Sequence, residues 1–476
     1  MAKDWTTLRE LLLPAVSGPG ARGKALEQAI REAVREGRLR PGVRLPSSRD
    51  LAAQLGLARG TVTASYEQLV AEGYLTARHG SGTRIAEAVG AAESPAPAPE
   101  TDRQWRFDLR PGLPALGAFP RAAWLAATKA ALTEMPDAAL GYPDPCGLAE
   151  LRAELAGYLG RVRSVVTDPA GITVTHGAAE ALSLLAQVLR DRGLREIAVE
   201  NPSHHGQAEL LAAQGLQPVP VPVDCDGVRV DALARTGVRA VLVTAAHQFP
   251  LGTALTAARR HALLAWARER DAVVIEDDYD AEHRYDRPAV CATQSLDPSR
   301  VAYIGSVSKI LAPALRLGWL VLPAELRGAI ADRKRLHDLG CGPIPQAALA
   351  RFLREGGYDR HLRRTRLLYR GRRDALLTAL AEHLPDWRTV GIAAGLHLVV
   401  RLPEGLDDAA LSARLAAAGI NAPALSGYAH PPVPAPYPGL VLGYAALSPD
   451  RLRAAVGEIA RIVGAVAKME ACASPS

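Results

Sequence analysis

The residues best suited to chemistry in this 476-residue chain lie in an apolar stretch, residues 305–319, with the sequence GSVSKILAPALRLGW. Its lysine, Lys309, follows Ser306 and Ser308 and precedes Arg316 by seven positions. A lysine amine can form a Schiff base with an aldehyde, and serine hydroxyls together with an arginine can bind a phosphate. A solvated loop lysine and an arginine in an ion pair would explain the same residues. This stretch alone does not decide between the two interpretations.

Two further motifs supply complementary groups. IEDDYDAEHRY places Asp277 and Tyr279 at the end of an apolar strand, where open α/β sheets bind ligands. A carboxylate there can pair with a protonated pyridine nitrogen, and a phenol can hydrogen-bond to a ring oxygen. In TVTHGAAEAL, the amides of Gly177, Ala178 and Ala179 would point at an anion from a helix N-terminus. With Lys309, these groups match the ring nitrogen, ring oxygen, phosphate and aldehyde of pyridoxal 5′-phosphate.

These motifs belong to a long region in which short β-rich runs alternate with helical patterns. The predicted strands include GITVTHG, EIAVENP, AVLVTAAH, AVVIEDDYD and VAYIGSVSK. Nearly continuous runs of valine, isoleucine and alanine, separated by helices, are typical of a mostly parallel sheet covered on both faces. We therefore expect the α/β class for this region.

The hydrophobic spacing of residues 21–86 predicts three helices and a β-hairpin. The helices cover about 24–36, from the serine pair at 47 and 48 to Gly56, and about 59–73. Two short helices joined by a tight turn form a helix-turn-helix, whose second helix can enter the major groove of DNA. The run YLTARHGSGTRI then predicts a two-stranded wing with a glycine-rich tip.

Positive charge is concentrated in the same part of the chain. Residues 1–86 hold 13 lysines and arginines against 8 acidic residues, an excess of five, whereas the whole chain has a net charge of +6. Such a distribution is typical of a small nucleic-acid-binding module on a nearly neutral protein. A basic tail without a specific partner would have the same charge balance.

A segment rich in alanine and proline separates these two regions and predicts a linker. We predict an N-terminal tail over 1–20, a winged helix-turn-helix DNA-binding domain over 21–86, the linker over 87–104, and an effector and dimerisation domain over 105–476.

Composition argues against two classes of protein. No apolar window is long enough to span a membrane, and the N-terminus lacks a signal-peptide pattern. The five cysteines, Cys146, Cys225, Cys291, Cys341 and Cys472, are scattered, which argues against a disulfide framework. We therefore expect a cytoplasmic, nucleoid-associated protein with no membrane partner.

The sequence GRLRPGVRLPSSRDLAAQLGLARGTVTASYEQLVAEGYL, followed by GSGT, resembles the winged-helix domain of the GntR family of transcriptional regulators. This resemblance implies binding to double-stranded promoter DNA. The implied DNA-binding residues are Ser48, Arg49, Arg59, Thr61, Thr63, Tyr66, His79, Gly80, Ser81 and Gly82. Arginine suits guanine edges and phosphates, and hydroxyls suit phosphates. Gly60 stands where the family often has a polar residue, so a contact from that position is lost.

The rest of the chain resembles the aminotransferase-like domain of MocR-type regulators, through motifs such as FDLRPGLPALGAFPRAAW, HQFPLGT, EDDYDAEHRY and YIGSVSKILAPALRLGWLVLP. The resemblance implies a fold-type I domain with a smaller C-terminal α+β subdomain, pyridoxal 5′-phosphate as cofactor, and a head-to-tail, domain-swapped homodimer. Lys309 would form the Schiff base, Asp277 would bind the pyridine nitrogen and Tyr279 the ring oxygen. The implied phosphate ligands are Gly177, Ala178, Ala179, Ser306, Ser308, Arg316 and Tyr142 of the partner subunit.

The chain departs from this family in two places. His204 stands where an aromatic side chain usually stacks on the cofactor ring, and an imidazole offers less area for stacking. Because no other ligand residues lie near His204 and His205 in the sequence, we expect no metal site there. Val441 stands where aminotransferases carry an arginine that binds the substrate's carboxylate. Arg388 and Arg401 are the candidates to replace that arginine.

Three functions remain compatible with the sequence. In the first hypothesis the protein is a regulator whose large domain senses an amine or amino acid through bound pyridoxal 5′-phosphate. In the second hypothesis the cofactor itself is the effector and the protein controls vitamin B6 supply, as the PdxR branch of the family does. In the third, the large domain is an active aminotransferase with a DNA-binding appendage. The absence of the carboxylate-binding arginine disfavours the third hypothesis.

Overall fold

The computed structural model describes residues 22–78, 82–87, 104–286 and 290–473, with the backbone alone for 466–473. The chain divides after Arg103 into two compact units. We call the described residues of the first unit the head and those of the second the body. No helix within the described ranges is long and apolar enough to cross a lipid bilayer.

The head consists of three helices and an antiparallel hairpin. Its elements are α1 (Arg22–Arg35), α2 (Ser48–Leu55), α3 (Arg59–Ala71), β1 (Leu75–Arg78) and β2 (Gly82–Ile85). Leu26, Ile30 and Val34 of α1 are buried on one face, as their helical spacing predicts. Ser47 caps α2 by accepting a hydrogen bond from the backbone amide three residues later, and Gly56 ends α2 in the left-handed conformation. Helix-turn-helix and wing are therefore both present.

The body combines a large sheet, the helices around it and a C-terminal region. Its strands are β3 (Phe107–Asp108), β4 (Ile172–Thr175), β5 (Glu196–Asn201), β6 (Gln217–Asp224), β7 (Gly227–Val228), β8 (Ala240–Val243), β9 (Val273–Asp277), β10 (Val301–Ser306), β11 (Gly318–Val321), β12 (Arg388–Val390), β13 (His397–Arg401), β14 (Ile420–Asn421) and β15 (Gly439–Gly443). Its α-helices are α4 (Arg121–Glu134), α5 (Ala149–Arg163), α6 (Ala178–Asp191), α7 (His205–Ala213), α8 (Val230–Ala234), α9 (Ala257–Glu269), α10 (Ala324–Asp338), α11 (Pro343–Arg354), α12 (Gly357–His383), α13 (Asp408–Ala417) and α14 (Pro449–Ala473).

The large sheet has eight strands in the order β4-β11-β10-β9-β8-β5-β6-β7. The pairs from β10 through β9, β8 and β5 to β6 are parallel, whereas β11 runs antiparallel to both of its neighbours. The carboxyl ends of β4, β10, β9, β8 and β5 therefore lie along one edge. The five strands expected from the sequence are all present, and the mostly parallel α/β sheet is confirmed.

The C-terminal region forms a second sheet with its own helices. Strands β12, β13 and β15 make an antiparallel three-stranded sheet, and α12 packs against α14. Their apolar side chains share one core with Phe107 and Leu109 from the start of the body. The smaller α+β subdomain expected from the sequence is thus confirmed.

Candidate functional site

The predicted cofactor residues of the body meet at the carboxyl edge of the large sheet. Gly177 follows β4, Asp277 ends β9, Lys309 lies three residues after β10 and Arg316 lies two residues before β11. Because β9 and β10 are parallel neighbours, with Ile304 paired to Asp277, the lysine and the carboxylate emerge side by side.

Lys309 presents a partly buried amine at this edge. Its Nζ donates a hydrogen bond to the carbonyl oxygen of Gly112 at 2.7 Å. Burial lowers the pKa of the Lys309 amine, although the carboxylates of Asp280 and Asp277 oppose this shift. His361 donates to the carbonyl of Ile310 at 2.8 Å and so holds the segment that follows the lysine. A lysine amine with a lowered pKa is a better nucleophile toward an aldehyde at neutral pH.

Asp277 is buried and only half satisfied. Gln207 Nε2 donates to Asp277 Oδ2 at 2.5 Å, whereas Asp277 Oδ1 has no hydrogen-bond partner among the described residues. Burial raises the pKa of this carboxyl to about 6, and the hydrogen bond from Gln207 opposes the shift. A buried acceptor without a donor costs about 1–3 kcal/mol. A protonated pyridine nitrogen would supply the missing donor.

The turn predicted to bind a phosphate brings a helix N-terminus and an arginine together. Gly177 adopts φ +92° before the first residue of α6, so the helix N-terminus opens onto this loop. A Cβ at Gly177 would lie 3.3 Å from Nη1 of Arg316, which places the guanidinium directly over the turn. In the described part of the chain, no acidic side chain pairs with Arg316, which is exposed. An unpaired cation at a helix N-terminus binds anions favourably.

The remaining predicted phosphate ligands lie at the same edge. Ala178 and Ala179 form the first turn of α6. Ser306 is buried at the end of β10, and its Oγ accepts a hydrogen bond from the amide of Ser308 at 3.4 Å. Tyr142 is 90% exposed, so its side chain is available to another molecule.

Tyr279 and His204 occupy the other sides of the site. The hydroxyl of Tyr279 lies 3.2 Å from Nδ1 of His247, and burial raises its pKa. The His204 ring lies 5.8 Å from the ring of Phe249, and burial with the nearby positive charge of Lys309 lowers its pKa. His204 is therefore a neutral ring at neutral pH, which suits stacking.

The position of the expected carboxylate-binding arginine is apolar. Val441 is buried on β15, where it packs with Leu251, Val399 and Leu425. Arg401 lies over the ring of Tyr437, at the end of β13 away from His397 and about 13 Å along the strand from it. Arg388 pairs with Arg401 in the sheet and is exposed. Neither Arg401 nor Arg388 is positioned to replace the carboxylate-binding arginine that was expected at position 441.

These residues fit pyridoxal 5′-phosphate on three observations: a lysine amine with a lowered pKa, and, among the residues that the structure describes, a buried carboxylate oxygen without a donor and an arginine without an acidic partner over a helix N-terminus. When bound, the cofactor would supply an aldehyde that reacts with amines and a ring that withdraws electrons. Lys309 would hold its aldehyde carbon, Asp277 its ring nitrogen, and Arg316 with the α6 amides its phosphate.

In the head, the predicted DNA-binding residues divide by exposure. Arg49 on α2 and Arg59 at the start of α3 are exposed. Ser48, Thr63 and Tyr66 line a groove between the two helices and the hairpin, and Gly82 begins β2 beside it. Thr61 packs its methyl group toward Gly23 of α1. His79, Gly80 and Ser81 lie outside the described residues.

Tyr66, which was predicted to face DNA, does not present a free hydroxyl in this structure. Its ring belongs to the apolar core of the head and is 6% exposed, and its hydroxyl donates to the carbonyl of Pro46 at 3.1 Å. Helix α3 must bury one face against α1 and α2, and Tyr66 lies on that face together with Val62 and Leu69.

Several residues of the body site were not predicted from the sequence. Gln207 contacts Asp277, Gly112 contacts Lys309, and His247, Asp280 and His397 cluster beside Tyr279. His247 and Asp280 fall inside the quoted motifs HQFPLGT and EDDYDAEHRY, so a signal was present. Gln207 and His397 lie in ordinary amphipathic patterns and carried none.

Comparison with protein families assigns both units. Residues 22–85 match the family described as "Bacterial regulatory proteins, gntR family", and residues 115–459 match "Aminotransferase class I and II".

Individual relatives share the whole arrangement. The chain is 35% identical over 462 residues to the probable rhizopine catabolism regulatory protein MocR of Rhizobium meliloti, which covers 92% of each chain. It is 36% identical over 442 residues to the pyridoxine biosynthesis transcriptional regulator PdxR of Corynebacterium glutamicum, with 92% of this chain and 95% of the relative covered. Among solved structures, the multiple substrate aminotransferase of Thermococcus profundus superposes with a TM-score of 0.70 and 26% identity, over 78% of this chain and 93% of that enzyme.

Proposed function

This chain belongs to the MocR-type branch of the GntR regulators, and from that premise we propose that its body binds pyridoxal 5′-phosphate through Lys309 and that the occupied site controls DNA binding by the head. The observation that carries the proposal is the placement of Lys309 and Asp277 on neighbouring parallel strands. The half-buried amine and the buried carboxylate emerge at the same edge, and one oxygen of the carboxylate lacks a donor within the described ranges.

Each residue of the proposed cofactor site has a distinct task. Asp277 stays ionised when a protonated ring nitrogen pairs with Oδ1, because the new positive charge offsets the cost of burial. Gln207 orients the carboxylate through Oδ2. Arg316 and the α6 amides bind the phosphate, and the Gly112 carbonyl holds the Lys309 amine in place. His204 covers one face of the ring.

Borohydride reduction followed by peptide mass mapping tests this assignment. Reduction of the cofactor-loaded protein should fix the pyridoxyl group on Lys309. Lys334 is an internal control in the same digest, because it is a buried lysine whose Nζ is bound by Glu180 at 2.8 Å and by Asp338. A label at Lys334, or at any position other than Lys309, contradicts the proposed site.

For the effector we propose an amine or amino acid that reacts with the bound cofactor and thereby shifts the protein between two DNA-binding states. The apolar setting of Val441 favours an effector that does not depend on an arginine fork for its carboxylate. The same observation favours the second candidate, in which pyridoxal 5′-phosphate alone is the effector.

Footprinting on the protein's own promoter separates the two candidates. If the cofactor alone is the effector, adding it to the cofactor-free protein changes the footprint, and amines add nothing further. If an amine is the effector, the footprint changes only when the cofactor and the amine are both present. Lys309→Ala should remove the response in either case, and a response that survives in this variant contradicts the proposal.

We also propose a head-to-tail homodimer in which Tyr142 of the partner subunit completes the phosphate site. The 90% exposure of Tyr142 supports this, because it leaves the ring and hydroxyl accessible to a second subunit. Sedimentation should give a dimer, and Tyr142→Ala should weaken cofactor binding without changing the mass. A monomer that binds the cofactor normally contradicts this arrangement.

A further inference from the structure

A second group of buried polar side chains lies beside the cofactor site. It contains His247 after β8, Asp280 after β9 and His397 at the start of β13, and each is at most 2% exposed. His247 Nδ1 lies 2.9 Å from Asp280 Oδ2 and 3.2 Å from the hydroxyl of Tyr279. One ring nitrogen thus faces both a carboxylate and a phenol.

The hydrogen on this nitrogen decides what Tyr279 can do. A neutral imidazole nitrogen either carries a hydrogen and donates, or has a lone pair and accepts. If Nδ1 of His247 carries the hydrogen, it donates to Asp280 and cannot accept the hydrogen of the Tyr279 hydroxyl. If Nδ1 has the lone pair, it accepts the hydrogen of Tyr279 and holds that hydroxyl away from any ligand.

The surroundings of His247 favour a hydrogen on Nδ1. Asp280 Oδ1 and His397 Nδ1 are buried and lack a donor within the part of the chain that the structure describes. His397 Nε2 lies 3.0 Å from the carbonyl of Pro250 and donates to it, and burial lowers the pKa of His397 to about 3. His397 is therefore neutral, with a lone pair on Nδ1. Asp280 Oδ2, a carboxylate oxygen that can only accept, lies 2.9 Å from His247 Nδ1 and favours the tautomer in which Nδ1 carries the hydrogen.

The backbone at Gly395 keeps the pair together. A Cβ at this position would lie 2.4 Å from Asp280 Oδ2 and 2.5 Å from His247 Nδ1. The Gly395 carbonyl accepts hydrogen bonds from the hydroxyls of Tyr444 at 2.7 Å and Tyr285 at 2.6 Å. The chain thus passes against the Asp280–His247 contact at a distance that only glycine permits.

We propose that Asp280 and His247 are positioning residues that keep the Tyr279 hydroxyl free to donate to the ring oxygen of bound pyridoxal 5′-phosphate. This inference rests on the proposed function. Asp280 holds the hydrogen on Nδ1 of His247, so the ring cannot capture Tyr279. The hydrogen bond from Tyr279 stabilises the ionised ring oxygen, which weakens proton binding at the nearby nitrogen that Lys309 contributes.

A pH titration of the visible absorbance of the cofactor-loaded, full-length protein measures the pH at which the nitrogen contributed by Lys309 loses its proton. The decisive comparison is Asp280→Leu against the double variant His247→Leu/Asp280→Leu. Both lack the carboxylate, so its electrostatic effect on Lys309 cancels. In the single variant, His247 is no longer held by Asp280, and its Nδ1 accepts the hydrogen of the Tyr279 hydroxyl. In the double variant, the leucine at position 247 has no lone pair, so the Tyr279 hydroxyl can still donate to the ring oxygen. The midpoint should be about one pH unit higher in the single variant.

Equal midpoints in the two variants overturn the inference. His283→Gln is the matched control, because His283 is buried, contacts Thr365 at 3.3 Å and lies three residues from Asp280. It should keep the wild-type midpoint, and a shift as large as that of Asp280→Leu points to packing alone and also overturns the inference. If Asp280→Leu does not fold, the same comparison is made with Asp280→Ala.

The same spectra separate this inference from the proposed function. A loaded protein that shows no lysine-bound chromophore, even in the wild type, contradicts the cofactor proposal. A normal chromophore with equal midpoints contradicts only the roles of Asp280 and His247.

Discussion

The residues proposed to bind DNA in the head and those proposed to bind the cofactor in the body lie in opposite environments. Arg49 and Arg59 of the head are exposed and extend from a core that does not include them. Lys309 and Asp277 of the body are buried to different degrees, and burial shifts the pKa of both. Exposed contacts to DNA add roughly independently, so losing one weakens binding by a limited factor. A buried charge depends on its partner, so losing one group leaves the other uncompensated.

This contrast predicts that a single substitution in the body weakens cofactor binding more than a single substitution in the head weakens DNA binding. Measurements of cofactor and operator affinity on the same variants test it, because a head variant should leave cofactor binding intact and a body variant should leave the intrinsic DNA contacts intact.

The largest effect is expected for Asp277→Asn. The amide cannot compensate the positive charge of a protonated ring nitrogen, and losing one partner of a buried charge pair costs about 2–5 kcal/mol. The dissociation constant for pyridoxal 5′-phosphate, followed by absorbance titration, should rise about 30-fold or more. Asp226→Asn, at an exposed carboxylate, is the control and should leave it unchanged. An unchanged affinity in Asp277→Asn contradicts the assignment of the ring nitrogen.

The same substitution should change how the stability of the cofactor-free protein depends on pH. Burial raises the Asp277 pKa to about 6, whereas the unfolded value is about 3.9. Between these values the folded protein holds a proton that the unfolded chain has lost, so this group's contribution to stability falls as the pH rises. The free energy of unfolding of Asp277→Asn relative to wild type should therefore increase by about 2–3 kcal/mol from pH 4 to pH 7. Urea denaturation at both pH values measures it, and parallel pH profiles contradict it.

Arg316→Ala should weaken cofactor binding by about 10- to 100-fold, because it removes a charged hydrogen-bond donor from the phosphate. Pyridoxal, which has no phosphate, should bind the variant and the wild type equally. Arg453→Ala removes an arginine that is paired with Asp450 and is the control. Equal losses for both ligands would assign Arg316 to the ring or to folding, not to the phosphate.

Arg59→Ala should reduce operator affinity by about 1–3 kcal/mol, or about 5- to 150-fold, and Arg49→Ala should behave alike. Gel-shift titration measures it, and cofactor affinity should not change. Arg31→Ala is the matched control in the head, because Arg31 is held by Glu72 at 2.7 Å. If neither Arg49→Ala nor Arg59→Ala weakens binding, the proposed DNA-binding surface is wrong.

The smallest effect is expected for Tyr66→Phe. The variant loses the hydrogen bond to Pro46 and about 1 kcal/mol of stability, but operator affinity should stay within about twofold of wild type. A loss comparable with that of Arg59→Ala would restore the original interpretation of Tyr66 as a DNA contact.

Local patterns predicted most of the architecture. The stripe of Leu26, Ile30 and Val34 located the first helix, and continuous apolar runs located five strands of the sheet, because burial depends on spacing along the chain. The placement of Lys309, Asp277 and Gly177 at one edge of the sheet was also predicted, since they end or follow strands whose carboxyl ends must meet. The burial of Tyr66 was not foreseen, because the motif alone does not distinguish the face of α3 that packs on the core from the face that is exposed.

The sequence by itself determined the two units, the parallel sheet and the residue types available to bind a phosphate, a ring nitrogen and an aldehyde. Tertiary structure decided the contacts between segments far apart in the chain. It brought Gln207 to Asp277, the Gly112 carbonyl to Lys309, and His397 to the Asp280–His247 pair. Such contacts depend on packing between elements of different periodicity, and no local pattern encodes a distance across a core. The sequence therefore specified which binding groups are available, and the fold specified which of them lack a partner among the described residues and can bind a ligand.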